Sequence, residues 1–200
     1  ANVVAYNETN RGLVSVSFGV VEVPADSATV LGKSISVVNK GTASVEYAVS
    51  YVDVTPVAGA DFAVGTTPTI TVPAGGSVTL PVTFTATGSL LRHVREASVA
   101  ASQVYARHWL TEKTGYAVLT PTSGTEPILR VALYAAPKPV SSMRAASSVA
   151  FPGGATGNFT LNLSGVPVNT GASFPTDIIS LAKPFELQYL SPLAGTPGAP

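Results

Sequence analysis

The stretch between Thr69 and Ala86 limits the fold of this chain more than any other. In it, small polar residues alternate one for one with apolar residues on both sides of a Pro-Ala-Gly-Gly break at 73–76. A period of two places successive side chains on opposite faces of a strand, so the pattern predicts two half-buried strands. Glycine tolerates the positive φ that a tight reversal needs, so the break predicts a turn. We therefore expect a β-hairpin whose apolar face packs inside a sandwich.

Five further segments combine alternating or β-branched residues with flanking turn signals. They are 13–20, 33–39, 44–54, 116–120 and 128–135. Together with the hairpin they predict seven strands at fairly regular spacing, as in an all-β, immunoglobulin-like or fibronectin III-like antiparallel β-sandwich. Pro81 lies on the polar side of the second hairpin strand. Because proline cannot donate to a strand ladder, it predicts a sheet edge or a bulge there.

The segment at about 89–114 departs from this pattern. Apolar and small residues recur along it at spacings of three and four, which indicates one face of a helix. These residues are Leu90, Val94, Ala97, Ala101, Val104 and His108. Ser89 can cap the start of a helix, and Gly115 can end the segment. We expect a short helical insertion between two strands, which serves either as a lid over the sandwich or as a docking surface.

The residue composition and pattern of the chain change after the predicted sandwich domain, which covers residues 1–140. Residues 137–139 form a Pro-Lys-Pro connector, which is stiff. Beyond it, 157–164 and 185–190 are predicted strands, too few for an independent sandwich. We expect 141–200 to hold a smaller, partial β module and a Pro/Gly-rich C-terminal linker.

Composition excludes several classes of partner. The formal net charge is +0, with 11 basic and 11 acidic residues, so nothing favours nucleic acid or an anionic membrane. Charged residues make up only 11% of the chain, which is low for a cytosolic protein, and we expect a secreted or cell-surface location. No apolar run approaches the roughly 20 residues of a membrane span. The first residue is Ala1, so we interpret the chain as part of a longer protein.

Residues that could carry chemistry are few, and we expect a non-catalytic chain without a cofactor or metal. The sequence has no cysteine, which removes disulfides and thiolate sites. His93 and His108 are too far apart on one helix for a shared metal, and a packed His108 is the better interpretation. Asp53 and Asp61 flank a loop and offer a weak alternative as calcium ligands. They lack the closely alternating acidic pattern of a calcium loop.

Aromatic and basic residues gather in the predicted insertion and suggest an interaction surface. The candidate residues are Arg92, Arg95, Tyr105, Arg107, His108 and Trp109. Aromatic and arginine side chains of this kind can form a protein hot spot or a platform for sugars. The alternative is that Trp109 fixes the insertion to the sandwich core.

Several segments, taken in order, carry a resemblance to a known family. They are 12–19, 35–47 with its Asn-Lys-Gly turn, the 69–86 hairpin, and 107–121 followed by 127–136. Together they cover roughly residues 1–143. This part of the chain resembles the fibronectin type III-like accessory region that follows the catalytic domain in bacterial subtilisin-like serine proteases.

The resemblance implies a non-catalytic accessory role in such a protease. The implied partner is the catalytic domain of the same polypeptide, and a further implied role is to help select protein substrates. The family's His-Gly and Gly-Thr-Ser-Met-Ala motifs are absent, so no catalytic residue carries over. Two other hypotheses stay open: an extracellular binding module for carbohydrate or a cell-surface protein, which would use the aromatics near Trp109, and a structural spacer.

Overall fold

Strands dominate the structure, a computed structural model that describes residues 2–92, 111–145, 160 and 162–168. No α-helix occurs among these residues. Nine strands build the main body: β1 (Val3–Asn7), β2 (Ser15–Pro24), β3 (Ala28–Asn39), β4 (Val45–Thr55), β5 (Ala60–Val64), β6 (Thr69–Val72), β7 (Ser77–Thr87), β8 (Lys113–Pro121) and β9 (Leu129–Val140). Two short strands, β10 (Arg144–Ala145) and β11 (Leu163–Ser164), pair with each other.

The nine strands form two sheets around one hydrophobic core. The four-stranded sheet has the order β1-β3-β7-β5, and the five-stranded sheet has the order β2-β9-β8-β4-β6. This is an immunoglobulin-like β-sandwich, so the predicted all-β class is confirmed. The purely antiparallel arrangement is wrong, because β2 pairs in parallel with β9. The larger sheet is therefore mixed.

The predicted hairpin at 69–86 contains two real strands but is not a hairpin. β6 pairs with β4 in the five-stranded sheet, whereas β7 pairs with β3 and β5 in the other. The 73–76 turn therefore crosses between the sheets, with Gly75 at a φ of 62°. The buried Asn39 holds this corner: its backbone N–H donates to Gly76 O at 2.9 Å, and its side-chain amide donates to Val72 O at 3.3 Å. The alternation of polar and apolar residues therefore predicts which side chains of a strand are buried, but not which strand it pairs with.

β2 begins and ends later than the predicted strand at 13–20, and a bulge interrupts it. The register against β9 shifts between Ser17 and Val20, and Gly19 takes a positive φ of 68°. A bulge adds one residue to one strand and reverses the alternation beyond it. Val20 is therefore exposed, whereas Val21 and Val23 are buried.

β7 lies between β3 and β5, so Pro81 does not mark an edge strand or a bulge, although β5 has already ended beside it. Its C=O accepts a hydrogen bond from Gly65 N at 2.8 Å, just past the end of β5 at Val64. In a strand the N and C=O of one residue point to the same side. The missing donor of Pro81 therefore faces the place where the neighbouring strand has already ended.

Other predictions meet the structure only in part. Strands β1 and β5 were not predicted. Residues 93–110, the centre of the predicted insertion, lie outside the described residues. The insertion is predicted too long at its end, because residues 113–114 already belong to β8. Most of the predicted partial module at 141–200 also lies outside the described residues.

An aromatic cluster fills one end of the core and positions the candidate site. Phe84 packs against Phe62 and Phe18, with ring centroids 5.2 and 5.6 Å apart. The Tyr51 ring meets Phe62 edge-on at 5.8 Å. Because β4, β5 and β7 each contribute to this cluster, polar side chains near its rim are held between both sheets.

Candidate functional site

Lys113, the first residue of β8, is a lysine whose side chain is buried at the rim of the aromatic cluster. Only 2% of the side chain is exposed. Its Nζ lies 2.5 Å from Asp53 Oδ2 on β4 and 3.7 Å from Asp61 Oδ1 on β5. A buried ammonium is costly unless it is paired. Asp53 supplies the close partner, although 36% of that side chain is exposed.

The side chain of Tyr51 packs beside the ion pair of Lys113 and Asp53. Lys113 Nζ lies 5.7 Å from the centroid of the Tyr51 ring. The Tyr51 hydroxyl donates a hydrogen bond to Asp53 Oδ1 at 3.2 Å. Burial, and then the negative charge of Asp53, raise the pKa of the Tyr51 phenol above its ordinary value. The phenol therefore keeps its proton and acts as a donor.

The alternation of β8 makes room for this tyrosine. Gly115 faces inward opposite Asp53, and a Cβ added to it would lie 2.6 Å from Tyr51 Oη and 2.7 Å from Val52 O. Any side chain at 115 would displace Tyr51 from Asp53. Gly115 therefore contributes to the site because the absence of a side chain at this position leaves room for Tyr51.

A cleft of about 500 Å³ opens above these charges. Asp53, Asp61 and Lys113 line it, together with Thr85, Thr87 and the loop at 56–60. In this loop Gly59 has a φ of 80°, and its C=O accepts a hydrogen bond from Thr87 N at 2.7 Å. Backbone bonds of this kind fix the wall of the cleft opposite Lys113.

The structure brings the two candidate calcium ligands, Asp53 and Asp61, to one place. Both face the ammonium of Lys113, which already supplies a positive charge between them. Among the described residues, no group of three or more His, Cys, Asp or Glu side chains is arranged to hold a metal ion. The chemistry of this cluster is that of an amine and two carboxyl groups.

A second feature lies on the opposite face of the same strand pair. Val52, Val54 and Tyr116 are large apolar side chains with 48%, 55% and 40% exposure. Val52 and Tyr116 are direct cross-strand partners, and Tyr116 is also opposite Ala132 of β9. We call Val52, Val54 and Tyr116 the outer patch. It lies at the centre of the outer surface of the five-stranded sheet.

Polar side chains surround the outer patch. Thr55 and Thr114 share a hydrogen bond between their hydroxyls at 2.8 Å. The Tyr134 hydroxyl donates to Glu112 Oε1 at 2.8 Å. Burial, followed by this hydrogen bond and the charge of Glu112, raises the pKa of Tyr134 to about 12. The patch thus has an apolar centre and a hydrogen-bonded rim.

Of the six residues predicted for an interaction surface, only Arg92 is described. Its Nη1 donates to the carbonyls of Ser89 and Leu91, at 3.1 and 2.8 Å. Its own carbonyl accepts a hydrogen bond from Thr111 Oγ1 at 2.7 Å. These contacts are local to the ends of the predicted insertion. Arg95, Tyr105, Arg107, His108 and Trp109 lie outside the described residues, and their interaction role stays a prediction.

Sequence reasoning missed Lys113 and Tyr51 as members of one site. Residues 53 and 113 lie 60 positions apart, and only the pairing of β4 with β8 joins them. One signal was available: Lys113 and Gly115 occupy inward positions at the start of a strand, where apolar residues are the rule.

Comparisons with known proteins concern the fold alone. No family model and no curated protein sequence matches the chain. Similar solved structures include the FixG-related protein from Vibrio parahaemolyticus, at 19% identity over 68% of this chain and 94% of that chain, with a TM-score of 0.37. The PapD-like domain 7 of human CEP192 has 13% identity over 68% and 85%, and a TM-score of 0.37. The E. coli chaperone DraB has 14% identity over 70% and 57%, again with a TM-score of 0.37.

These findings correct the resemblance to the subtilisin-like proteases. The similar structures include a PapD-like domain and several chaperones, and no family model supports a protease accessory region. The hairpin used for that resemblance is also not a hairpin, since its strands belong to separate sheets. Assignment to the subtilase family is therefore wrong. Alternating strands and Gly-rich turns are common to many sandwiches, so the matched segments reflect the shared architecture.

In the part of the chain that the structure describes, no helix is long and apolar enough to cross a bilayer.

Proposed function

We propose that this chain is a non-catalytic binding module that docks a protein partner on the outer patch of its five-stranded sheet. The observation that supports this is the adjacency of two large, exposed apolar side chains, Val52 and Tyr116, with Val54 exposed at the irregularity that follows on the same strand. Exposed apolar clusters rimmed by polar groups are typical of protein interaction sites. A full interface needs about 20–30 residues a side, so the patch would be its apolar centre.

The edges of the five-stranded sheet favour its face over an edge as the docking surface. A partner strand that extends a sheet needs free backbone groups at the edge. At β2, the Asn7 amide donates to Ser15 O at 3.1 Å, and Lys33 Nζ donates to Ser17 O at 2.6 Å. Both side chains cover carbonyls that an added strand would use. At the other edge of this sheet, β6 is only four residues long.

A protein suits this surface better than the other classes of partner. The chain has no net charge, so it offers little attraction to a polyanion or an anionic lipid surface. The alternative of a carbohydrate platform rests on Trp109, which lies outside the described residues. We also propose a secreted or cell-surface location, supported by the low content of charged residues.

Site-specific photo-crosslinking in the source cells tests this proposal. A photo-reactive residue at position 116 should capture one protein, and the same residue at position 30 should not. Val30 is the matched control, since it is 62% exposed and lies on β3 of the other sheet. A second substitution, Val52→Lys, should abolish capture from position 116, whereas Val30→Lys should leave it intact.

Stability has to be unchanged for this result to count. Exposed substitutions of this kind usually change the free energy of unfolding by no more than about 0.5 kcal/mol. Both lysine variants should therefore melt like the wild type. Equal capture from positions 30 and 116, or capture that survives Val52→Lys, would contradict the docking site and favour the structural spacer.

A further inference from the structure

The buried group around Lys113 contains the parts of a bond-forming reaction and does not depend on the proposed docking function. The primary amine of Lys113 lies against one carboxyl group, Asp53 Oδ2, at 2.5 Å. The lysine side chain is 2% exposed, so bulk water has little access to the amine. Two reacting groups held together in this way gain the large rate advantage of an intramolecular reaction.

The groups around this pair have the chemistry that an acyl transfer needs. The Tyr51 hydroxyl donates to Asp53 Oδ1 at 3.2 Å, where it can stabilise negative charge on that oxygen. Asp61 Oδ1 lies 3.7 Å from Lys113 Nζ, which places a second carboxylate where it can accept and return protons. Asp61 is largely exposed, at 74%, so it can exchange protons with solvent.

We propose that Lys113 and Asp53 condense to an intramolecular amide bond that links β8 to β4. The bond between Nζ and Cγ forms, and the bond between Cγ and Oδ2 breaks. The ammonium gives up two protons, which Asp61 relays to the departing oxygen, and one water molecule leaves. Tyr51 holds the oxygen that becomes the amide carbonyl. No oxidant, cofactor or further reactant is required.

The product would suit this particular chain. Condensation removes the positive charge of Lys113, whose side chain is only 2% exposed, from a position where burial makes it costly. It also closes a covalent loop across 60 positions in a sequence that has no cysteine for a disulfide. Cross-links of long loops restrict the unfolded chain in the same manner as disulfides do.

Intact-mass spectrometry of the full chain tests the proposal directly. The wild type should be lighter than its sequence mass by one water molecule, and a tryptic digest should yield a branched peptide containing residues 53 and 113, uncut after Lys113. Lys113→Arg keeps the positive charge but should restore the full mass, as should Asp53→Ala. Asp61→Asn should retain the pair but slow the conversion at least tenfold.

The contrary outcomes are equally definite. A folded wild type that keeps its full sequence mass after days at neutral pH would overturn the proposal and leave Lys113 and Asp53 as an ion pair. A water loss that persists in Lys113→Arg would assign the dehydration to another residue. Unchanged kinetics in Asp61→Asn would remove Asp61 from the reaction as a proton relay. These measurements do not involve the outer patch, so failure here leaves the docking proposal untouched.

Discussion

The two faces of the β4–β8 strand pair differ sharply, although residues on them alternate along the same few positions. On the inner face, Tyr51, Asp53 and Lys113 contact one another and close one end of the core. On the outer face, Val52 and Tyr116 lie side by side and are 48% and 40% exposed. Because successive side chains of a strand point to opposite faces, one strand pair carries the polar side chains around Lys113 on its inner face and the outer patch on its outer face.

At this end of the strand pair the usual pattern is inverted, because apolar side chains normally face the core and polar ones normally face water. A buried ion pair contributes little to stability by itself. An exposed apolar cluster likewise contributes little to folding, because its area stays in contact with water. Both features therefore point to roles beyond folding, and substitutions on the two faces should behave differently.

The largest expected effect comes from filling the space beside Tyr51 on the inner face. Gly115→Ala places a methyl group 2.6 Å from Tyr51 Oη and 2.7 Å from the backbone oxygen of Val52. Overpacking of this kind typically costs about 1–3 kcal/mol, and a rigid ring and a backbone atom cannot easily yield. We expect a lower midpoint in urea denaturation.

The matched control is Gly32→Ala, on β3 of the other sheet. A Cβ there meets nothing within 4 Å. Its urea midpoint should stay within error of the wild type. If Gly115→Ala also left the midpoint unchanged, the tight contact between β8 and Tyr51 would be refuted, and with it the precise arrangement of the inner face.

The alternation of polar and apolar residues along the sequence predicts which side chains are buried. It does not predict strand pairing, and this limits how much of the fold could be predicted. Leu80, Val82 and Phe84 are buried in β7 as their spacing predicted. Alternation could not show that β6 and β7 belong to different sheets, because pairing depends on distant strands. Gly19 reversed the alternation in β2 through a bulge, which no local pattern announces reliably.

The candidate site was harder to predict than the fold. Asp53 and Asp61 were noticed as a pair of acids near one loop, but their common partner, Lys113, lies on a strand far along the chain. The outer patch was hidden for a different reason. In the sequence, Val52 has the pattern of an ordinary strand residue. Only the pairing of β4 with β8 shows that it lies beside Tyr116 on the outer face.

A medium effect is expected at the rim of the outer face, where Tyr134→Phe removes a hydrogen bond to Glu112. Such a bond contributes about 0.5–1.5 kcal/mol. The folded state raises the pKa of Tyr134 to about 12 from an ordinary value of 10.0, so it binds the phenol proton more tightly than the unfolded chain does. This contribution is complete below pH 10 and is lost as the pH rises towards 12.

Melting temperatures from pH 8 to 12 check this prediction. The wild type should be more stable than Tyr134→Phe at pH 8, and the gap should close between pH 10 and 12. Effects of other titrating groups are common to both proteins and cancel in the difference. A gap that stays constant or widens with pH would show that the folded state does not bind the Tyr134 proton more tightly than the unfolded chain does, and no gap at pH 8 would show that the Tyr134–Glu112 bond does not stabilise the rim.

The smallest effect, and the one of opposite sign, is expected at Tyr47 on the inner face of β4. Tyr47 is fully buried, and no described residue makes a hydrogen bond with its hydroxyl. An unsatisfied buried hydroxyl costs free energy, so Tyr47→Phe should leave the protein equally stable or more stable by up to about 1 kcal/mol. Tyr134→Phe is its natural counterpart, since the same atom is deleted from a hydrogen-bonded position. Urea denaturation at pH 7 should therefore lower the midpoint of Tyr134→Phe and leave the midpoint of Tyr47→Phe unchanged or raised. A clear loss of stability in Tyr47→Phe would mean that its hydroxyl is paired in solution, and the inner face of β4 would then be satisfied along its whole length.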